Sequence, residues 1–237
     1  MAFVQGESDG LSLQVAASPD AAPRELLRFK DAGEPSWSPT GDRIAIPAIT
    51  TGDQMSLQVV PLEGGPLRSY MVGETGWTAE WLGDSVIAVQ HRGNRSLDLL
   101  DLRSGAIRPL PGLDTLGWVF SPALAPDGRT LAVTWSRRAQ SGVYLVDLTR
   151  GSARRLAHQL LDVLRWAPDG QRLFARSFPM TGDSVRVYAI DARSGAEQLL
   201  ASFAPGSVVE DVSADGREVV VREGSRRGDA WAMQLTR

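Results

Sequence analysis

Residues 167–175 read Ala-Pro-Asp-Gly-Gln-Arg-Leu-Phe-Ala, and residues 187–191 read Val-Tyr-Ala-Ile-Asp. The first stretch is a tight turn opening into a strand: proline presets φ, aspartate bonds the local backbone, and glycine takes the left-handed conformation. The second is a short run of the β-branched, aromatic and aliphatic residues that suit a pleated, buried strand. Both recur along the chain. The turn returns as SPTGDRIAI around Gly41, APDGRTLAV around Gly128 and SADGREVVV around Gly216, with a degenerate copy, WLGDSVIAV, at Gly83. The strand returns as LQVAA, LQVVP, LDLLD, VYLVD, VYAID and WAMQL, starting at Leu13, Leu57, Leu97, Val143, Val187 and Trp231; the intervals are 44, 40, 46, 44 and 44.

Each repeat parses into four short strands, a to d. Strand a precedes the turn (PSWS, AEWL, ALAP, LRWA, EDVS), strand b follows it, strand c is the second marker, and strand d closes the unit as AIRPL, ARRLA or EQLLA. No segment sustains a helical apolar stripe over three turns; QLLDVL after His158 comes nearest and is short enough for a connector. A four-strand unit repeated this regularly points to sheets that bury both faces against equivalent neighbours. The fold class expected is therefore all-β, a six-bladed β-propeller of four-stranded antiparallel blades in one domain spanning 1–237. The repeat units fall at about 1–30, 31–72, 73–113, 114–158, 159–204 and 205–237. Met1 falls where strand b begins, so the first blade lacks its inner strand, and the last ends without its outer strand. Two readings of the ends follow. Either the chain is the C-terminal part of a longer polypeptide cut inside its first blade, or strand d at residues 24–29 crosses over to complete the last blade, leaving five. The intact b and c strands of the first unit favour six.

Composition narrows the function classes. The formal net charge is −3 and offers no basic field for nucleic acid. There are no cysteines, which excludes disulfides, thiolate catalysis and cysteine-based zinc sites. No run of eighteen apolar residues occurs, so direct membrane insertion is not expected. Lys30 is the sole lysine among 25 basic residues. Catalytic signatures are missing too. There is no G-x-S-x-G elbow, no phosphate-cradling loop and no HExxH, and the two histidines, His91 and His158, suit surface or hydrogen-bonding roles. Asp127, Asp169 and Asp215 recur at one turn, and Asp101, Asp147 and Asp191 at the end of strand c; both sets read as turn structure.

The string W-S-P-x-G-x-x-I-A, followed by a V-Y-L-V-D-L strand and a basic-glycine turn, resembles the TolB-like β-propeller repeat. Residues 37–41, 125–128, 167–170 and 143–148 carry the resemblance, which covers essentially the whole chain. The second full unit departs from it by lacking Pro-Asp-Gly, and the third by an extra Ser-Pro-Ala. Such propellers occur as periplasmic partners of outer-membrane lipoproteins, as sensor domains of bacterial kinases and regulators, and as gating domains of prolyl-oligopeptidase-type hydrolases. The resemblance implies a non-catalytic, extracytoplasmic interaction or sensing module, the C-terminal sensor or scaffold part of a larger bacterial protein. Its partner would be a protein or peptide, and the domain itself a monomer. The alternative is a hydrolase-gating propeller, or one with a weak hydrolase or lyase site of its own.

Two sets of residues are candidates for binding. In strand a, Trp37, Trp81 and Trp166 recur at one slot and are expected to wedge between blades. The position before that slot reads Ser36, Glu80, Ala123, Arg165 and Asp211. Charges in a packing zone need partners or solvent, so Glu80, Arg165, Glu210 and Asp211 are expected at the channel mouth, holding water, a partner's side chain or a cation. Calcium would suit their hard oxygens, yet no spacing specifies it, so no cofactor or metal is assigned. The second set is a surface one: Trp77, Trp118 and Trp135, which lie off the slot, and Arg137 and Arg138. Arginine pairs at 154–155 and 226–227 are expected at solvated loop tips.

Overall fold

The computed structural model describes residues 2–7, 10–18, 21–91, 93, 95–178, 183–222 and 230–234, the last five as backbone. The chain forms two compact units, 1–110 and 111–237. In the first, the strands are β1 (Ala2–Glu7), β2 (Gly10–Val15), β3 (Arg24–Phe29), β4 (Asp31–Ala32), β5 (Ser36–Trp37), β6 (Arg43–Ile49), β7 (Ser56–Pro61), β8 (Arg68–Tyr70), β9 (Ala79–Trp81), β10 (Val86–His91), β11 (Ser96–Asp101) and β12 (Ile107–Pro109). They make three antiparallel sheets: β1-β2-β3, then β6-β7-β8 with β4 and β5 both on the free side of β6, then β9-β10-β11-β12. Pro35, which has no N–H to give, lies between the two short pieces of that split inner strand.

The second unit repeats the pattern with β13 (Trp118–Leu124), β14 (Thr130–Ser136), β15 (Gly142–Asp147), β16 (Ser152–Ala157), β17 (Leu161–Trp166), β18 (Arg172–Ser177), β19 (Val185–Asp191), β20 (Glu197–Phe203), β21 (Val208–Val212), β22 (Glu218–Arg222) and β23 (Ala230–Gln234). Its sheets are β13-β14-β15-β16, β17-β18-β19-β20 and β21-β22-β23.

The antiparallel four-stranded blade stands, and the count of six does not. Among the described residues five sheets carry an inner strand a, and β1-β2-β3 carries none, so the blades number five. Its first repeat supplies only strands b, c and d, and β3 stays in register on β2. The stretch expected as a connector after His158 is also corrected. Leu161–Leu164 form most of β17, where Leu161 is fully buried.

Burial explains why strands b and c lack a polar face. In the first unit, Ile44, Ile46 and Ala48 of β6 pack against Leu13 and Phe29 of the preceding sheet, while Ala45 packs with Trp81, Ile87 and Val89 of the following one. In the second, Leu173 and Ala175 of β18 face Ala132, Val143 and Leu145, while Phe174 joins Val209, Val212, Val219 and Val221. Side chains alternate across a strand, so a sheet sandwiched between two others must be apolar on both sides.

The tandem aspartates are turn structure. Asp127 Oδ1 accepts from the N–H groups of Arg129 and Thr130, and Asp191 Oδ1 from those of Arg193 and Ser194. Hydrogen bonds from Ser104, Arg150, Ser194 and Ser213, respectively, are the main reason Asp101, Asp147, Asp191 and Asp215 sit below the ordinary carboxylate value. Asp42 is held at about 2 by Thr40 and Ser38.

Candidate binding surface

The wedge tryptophans fix how neighbouring sheets dock. Trp81 and Trp166 are buried, and each indole donates its Nε1–H across to the residue before the slot in the preceding sheet: Trp81 to the Ser36 carbonyl at 3.1 Å, Trp166 to the Ala123 carbonyl at 3.0 Å. Trp37 departs from this, being 37% exposed with no hydrogen bond from its indole among the described residues.

The residues expected at the channel mouth find partners within their own sheet or a neighbouring one. Glu80, Arg165 and Asp211 occupy the late end of strand a, beside the turn that leads into strand b, and not its lead-in end. Ser36 Oγ donates to Glu80 Oε2 at 2.9 Å, across from the preceding sheet. Arg165 reaches the Val212 carbonyl at 3.1 Å and Asp211 Oδ2 at 3.4 Å. Burial raises the Asp211 carboxyl above its ordinary value against the opposing charge of Arg165, although half of that side chain still meets solvent. Glu210 accepts from Arg222 Nε at 2.9 Å within its own sheet. A cleft of ≈ 560 Å³ opens at this same end of the second unit, lined by Asp127, Asp147, Arg150, Arg154, Trp166 and Asp169 among others. Its carboxylates are occupied by their own turns, and Arg154 by the Ala192 carbonyl at 2.6 Å.

The opposite, lead-in end of the second unit is different in kind. Leu116 is 67% and Trp118 53% exposed, just before and at the start of β13. Phe120 meets Phe178 edge to face, ring centres 6.0 Å apart. Behind them lies a buried polar network. Ser121 Oγ donates to Asp162 Oδ1, Arg176 grips Asp162 Oδ2 through Nε at 2.9 Å and Nη2 at 2.7 Å, and Arg176 Nη1 reaches the Val209 carbonyl. Arg176 of β18 thereby ties β17 to β21, and Asp162 ties β17 to β13. Ser121 has φ of 46°, at the bulge between Phe120 and Ala123 where the extra Ser-Pro-Ala of the sequence is absorbed.

Of the surface candidates, Trp118 and Trp77 are exposed, Trp77 at 44% on the lead-in side of β9. Trp135 is a correction, since only 3% of it is accessible. It follows Leu131 and Val133 on one face of β14, so the period of two carries it inward, where it meets the Tyr144 ring edge-on at 5.0 Å. Arg137 covers it, with its guanidinium carbon 5.0 Å from the ring, and pairs with Asp114 at 2.5 Å. Arg138 is exposed, with φ of 45°, in a turn beside them. Arg226 and Arg227 lie outside the described residues. His91 binds Asp98 through Nδ1 at 2.5 Å. Among the described residues no group of three or more His, Cys, Asp or Glu is placed to hold a metal ion, and no helix is long and apolar enough to cross a membrane.

Small antiparallel sheets in series, wedged by tryptophan, define a β-propeller. Known structures agree on the class. TolB from Acinetobacter baumannii superposes with a TM-score of 0.79 at 22% identity, over 98% of this chain and 60% of that one. A putative TolB from Agrobacterium tumefaciens gives 0.69 at 16%, over 90% and 80%. An oligogalacturonate lyase in complex with manganese gives 0.67 at 13%, over 99% and 76%. The chain thus has a TolB-like β-propeller fold, and it spans 60% of the length of the Acinetobacter protein. No known family profile and no curated protein matches it in sequence.

Proposed function

We propose that this chain is a non-catalytic protein-interaction or ligand-sensing module of a larger bacterial protein, working outside the cytoplasm. Its binding surface is the lead-in end of the inner strands in the second unit. The observation that carries this reading is that exposed Leu116 and Trp118 stand at the same lead-in end as the Phe120–Phe178 pair and the Ser121–Asp162–Arg176 network. Exposed aromatics on a rigid, hydrogen-bonded base are the composition of an interface anchor. Preorganisation by the buried network keeps the ordering cost of binding low. Glu80, Arg165, Glu210 and Asp211 then act as ion pairs and hydrogen bonds between and within sheets, leaving metal binding to a role this reading does not require.

The test uses the full-length protein, immobilised, with proteins of the native host identified by mass spectrometry. Trp118→Ala, at a side chain more than half exposed, is expected to lower recovery of the retained partner by about tenfold or more while the melting temperature holds. Equal recovery by variant and wild type overturns the proposal, as does turnover of oligogalacturonate on addition of manganese.

A further inference from the structure

The patch at the lead-in end of β13 carries one charge that the protein leaves unanswered. Leu116, Gly117 and Trp118 lie flush against the hairpin that joins β14 to β15. Trp118 pairs with Ser136, and a Cβ at Gly117 would strike the Ser136 carbonyl and crowd the Arg137 Cα. Asp114 binds both sides of this join. Its Oδ1 accepts the Leu116 N–H at 3.0 Å, and its Oδ2 pairs with Arg137 Nη2 at 2.5 Å. Arg137 also gives Nη1 to Gln140 Oε1 at 3.1 Å and covers the Trp135 ring. Asp114 and Arg137 thus spend their charges on each other and on the hairpin.

Arg138 does not. It is exposed, and among the described residues its side chain makes no hydrogen bond, ion pair or ring contact. Its φ of 45° lies in the left-handed region, where glycine is at ease and a residue with a Cβ is not. The hairpin over-determines that conformation. The Arg138 carbonyl accepts from Ser141 Oγ at 2.9 Å and from the Ser141 N–H at 3.3 Å, and the Gln140 carbonyl accepts from the Tyr144 hydroxyl at 2.5 Å. A guanidinium with no counter-charge therefore stands on a fixed turn, beside an indole and a leucine that are both more than half exposed. Residues held at such backbone angles cluster where proteins bind and react.

We infer, on the reading of this patch as a binding surface, that Arg138 selects the partner. It takes the carboxylate of an aspartate or glutamate in a protein segment, while Leu116 and Trp118 take an apolar side chain flanking that acid. The planar fork of a guanidinium matches a carboxylate in two parallel bonds. Charge at the rim of an interface sets which partner is accepted, and apolar anchors supply the affinity. A basic segment is disfavoured on the same ground, because Asp114 already answers Arg137 and the Leu116 N–H.

The probe is a library of random peptides displayed on phage, selected on immobilised full-length protein in three forms: wild type, Arg138→Gly and Trp118→Ala. Glycine suits a positive φ, so Arg138→Gly is expected to melt no lower than wild type, and a loss of binding is then not a loss of fold. Wild type is expected to enrich peptides in which Asp or Glu adjoins Leu, Phe or Trp. Arg138→Gly is expected to enrich apolar peptides without the acidic excess, and Trp118→Ala neither kind. A fluorescein-labelled copy of the leading wild-type peptide should lose about tenfold in affinity by fluorescence polarisation on Arg138→Gly. Replacing the peptide's own acid by its amide should cost the same on wild type, and the two losses should not add; the amide arm needs no protein variant. No acidic excess on wild type, or an equal excess on Arg138→Gly, overturns the inference and leaves the surface reading standing. The same peptides on Trp118→Ala as on wild type overturn both. So does a failure of all three forms to enrich any peptide, which means that the patch is already covered in the full-length protein.

Discussion

Trp81→Phe and Trp37→Phe make the same chemical change at the same repeat position in adjacent sheets of one unit, and the structure assigns them different costs. Trp81 is 2% exposed, and its indole hydrogen bonds the Ser36 carbonyl at 3.1 Å. Phenylalanine keeps a ring beneath the Arg43 guanidinium, which stands 4.9 Å from the indole, but it removes the donor and part of the ring. The lost apolar contact, roughly 40 Å², is worth about 1 kcal/mol. The hydrogen bond contributes about 1 kcal/mol more, and a carbonyl left without its partner adds up to about another. The expected cost is therefore about 2–3 kcal/mol. Trp37 is 37% exposed and makes no such bond, so Trp37→Phe should cost under about 1 kcal/mol. Urea unfolding followed by far-ultraviolet circular dichroism measures both, with an unchanged slope showing that the change lies in stability. Equal costs at the two positions would refute the account of these rings as sheet-to-sheet wedges that need an inner strand in the preceding sheet.

Two further outcomes follow from the polar groups of the second unit. Asp162→Ala leaves Arg176 mostly buried beside its lost carboxylate, and should cost about 3–5 kcal/mol in the same unfolding assay; Asp162→Asn, which keeps the shape, should cost less. Asp211 should titrate above 3.8 when followed by carboxyl ¹³C shifts, because burial raises it while Arg165 opposes. Arg165→Ala removes that opposition and should raise the midpoint further. The raised value means that the folded state holds this proton more tightly than the unfolded chain. The group therefore favours folding most at pH below 3.8, and that contribution is lost as pH rises through the folded value.

What the sequence disclosed was local or periodic. Turn chemistry at Gly41, Gly128, Gly170 and Gly216 needs only neighbouring residues, and each of these glycines has positive φ in its turn. Strand c was legible because burial on both faces leaves a short run dominated by aliphatic, β-branched and aromatic residues. The lead-in halves of β13 and β17 escaped notice because no turn marks where they begin, so Leu161–Leu164 read as a connector. The Ser121–Asp162–Arg176 network joins residues 14 and 41 positions apart on three strands, and no spacing rule foretells it. Trp135 was misjudged because the slot rule governs strand a, whereas in strand b only the alternation counts.

The candidate surface traces to one property of the architecture. A sheet stacked between two others has no free face, since its apolar residues on both sides are already buried. Recognition must then use what stacking leaves over, the ends of strands. Strand ends tolerate exposed aromatics such as Trp118 because their backbone is already satisfied within the sheet, so changes there alter binding at little cost in stability. A partner at the strand ends is chosen by side chains. Substitutions that abolish its binding should leave the fold intact.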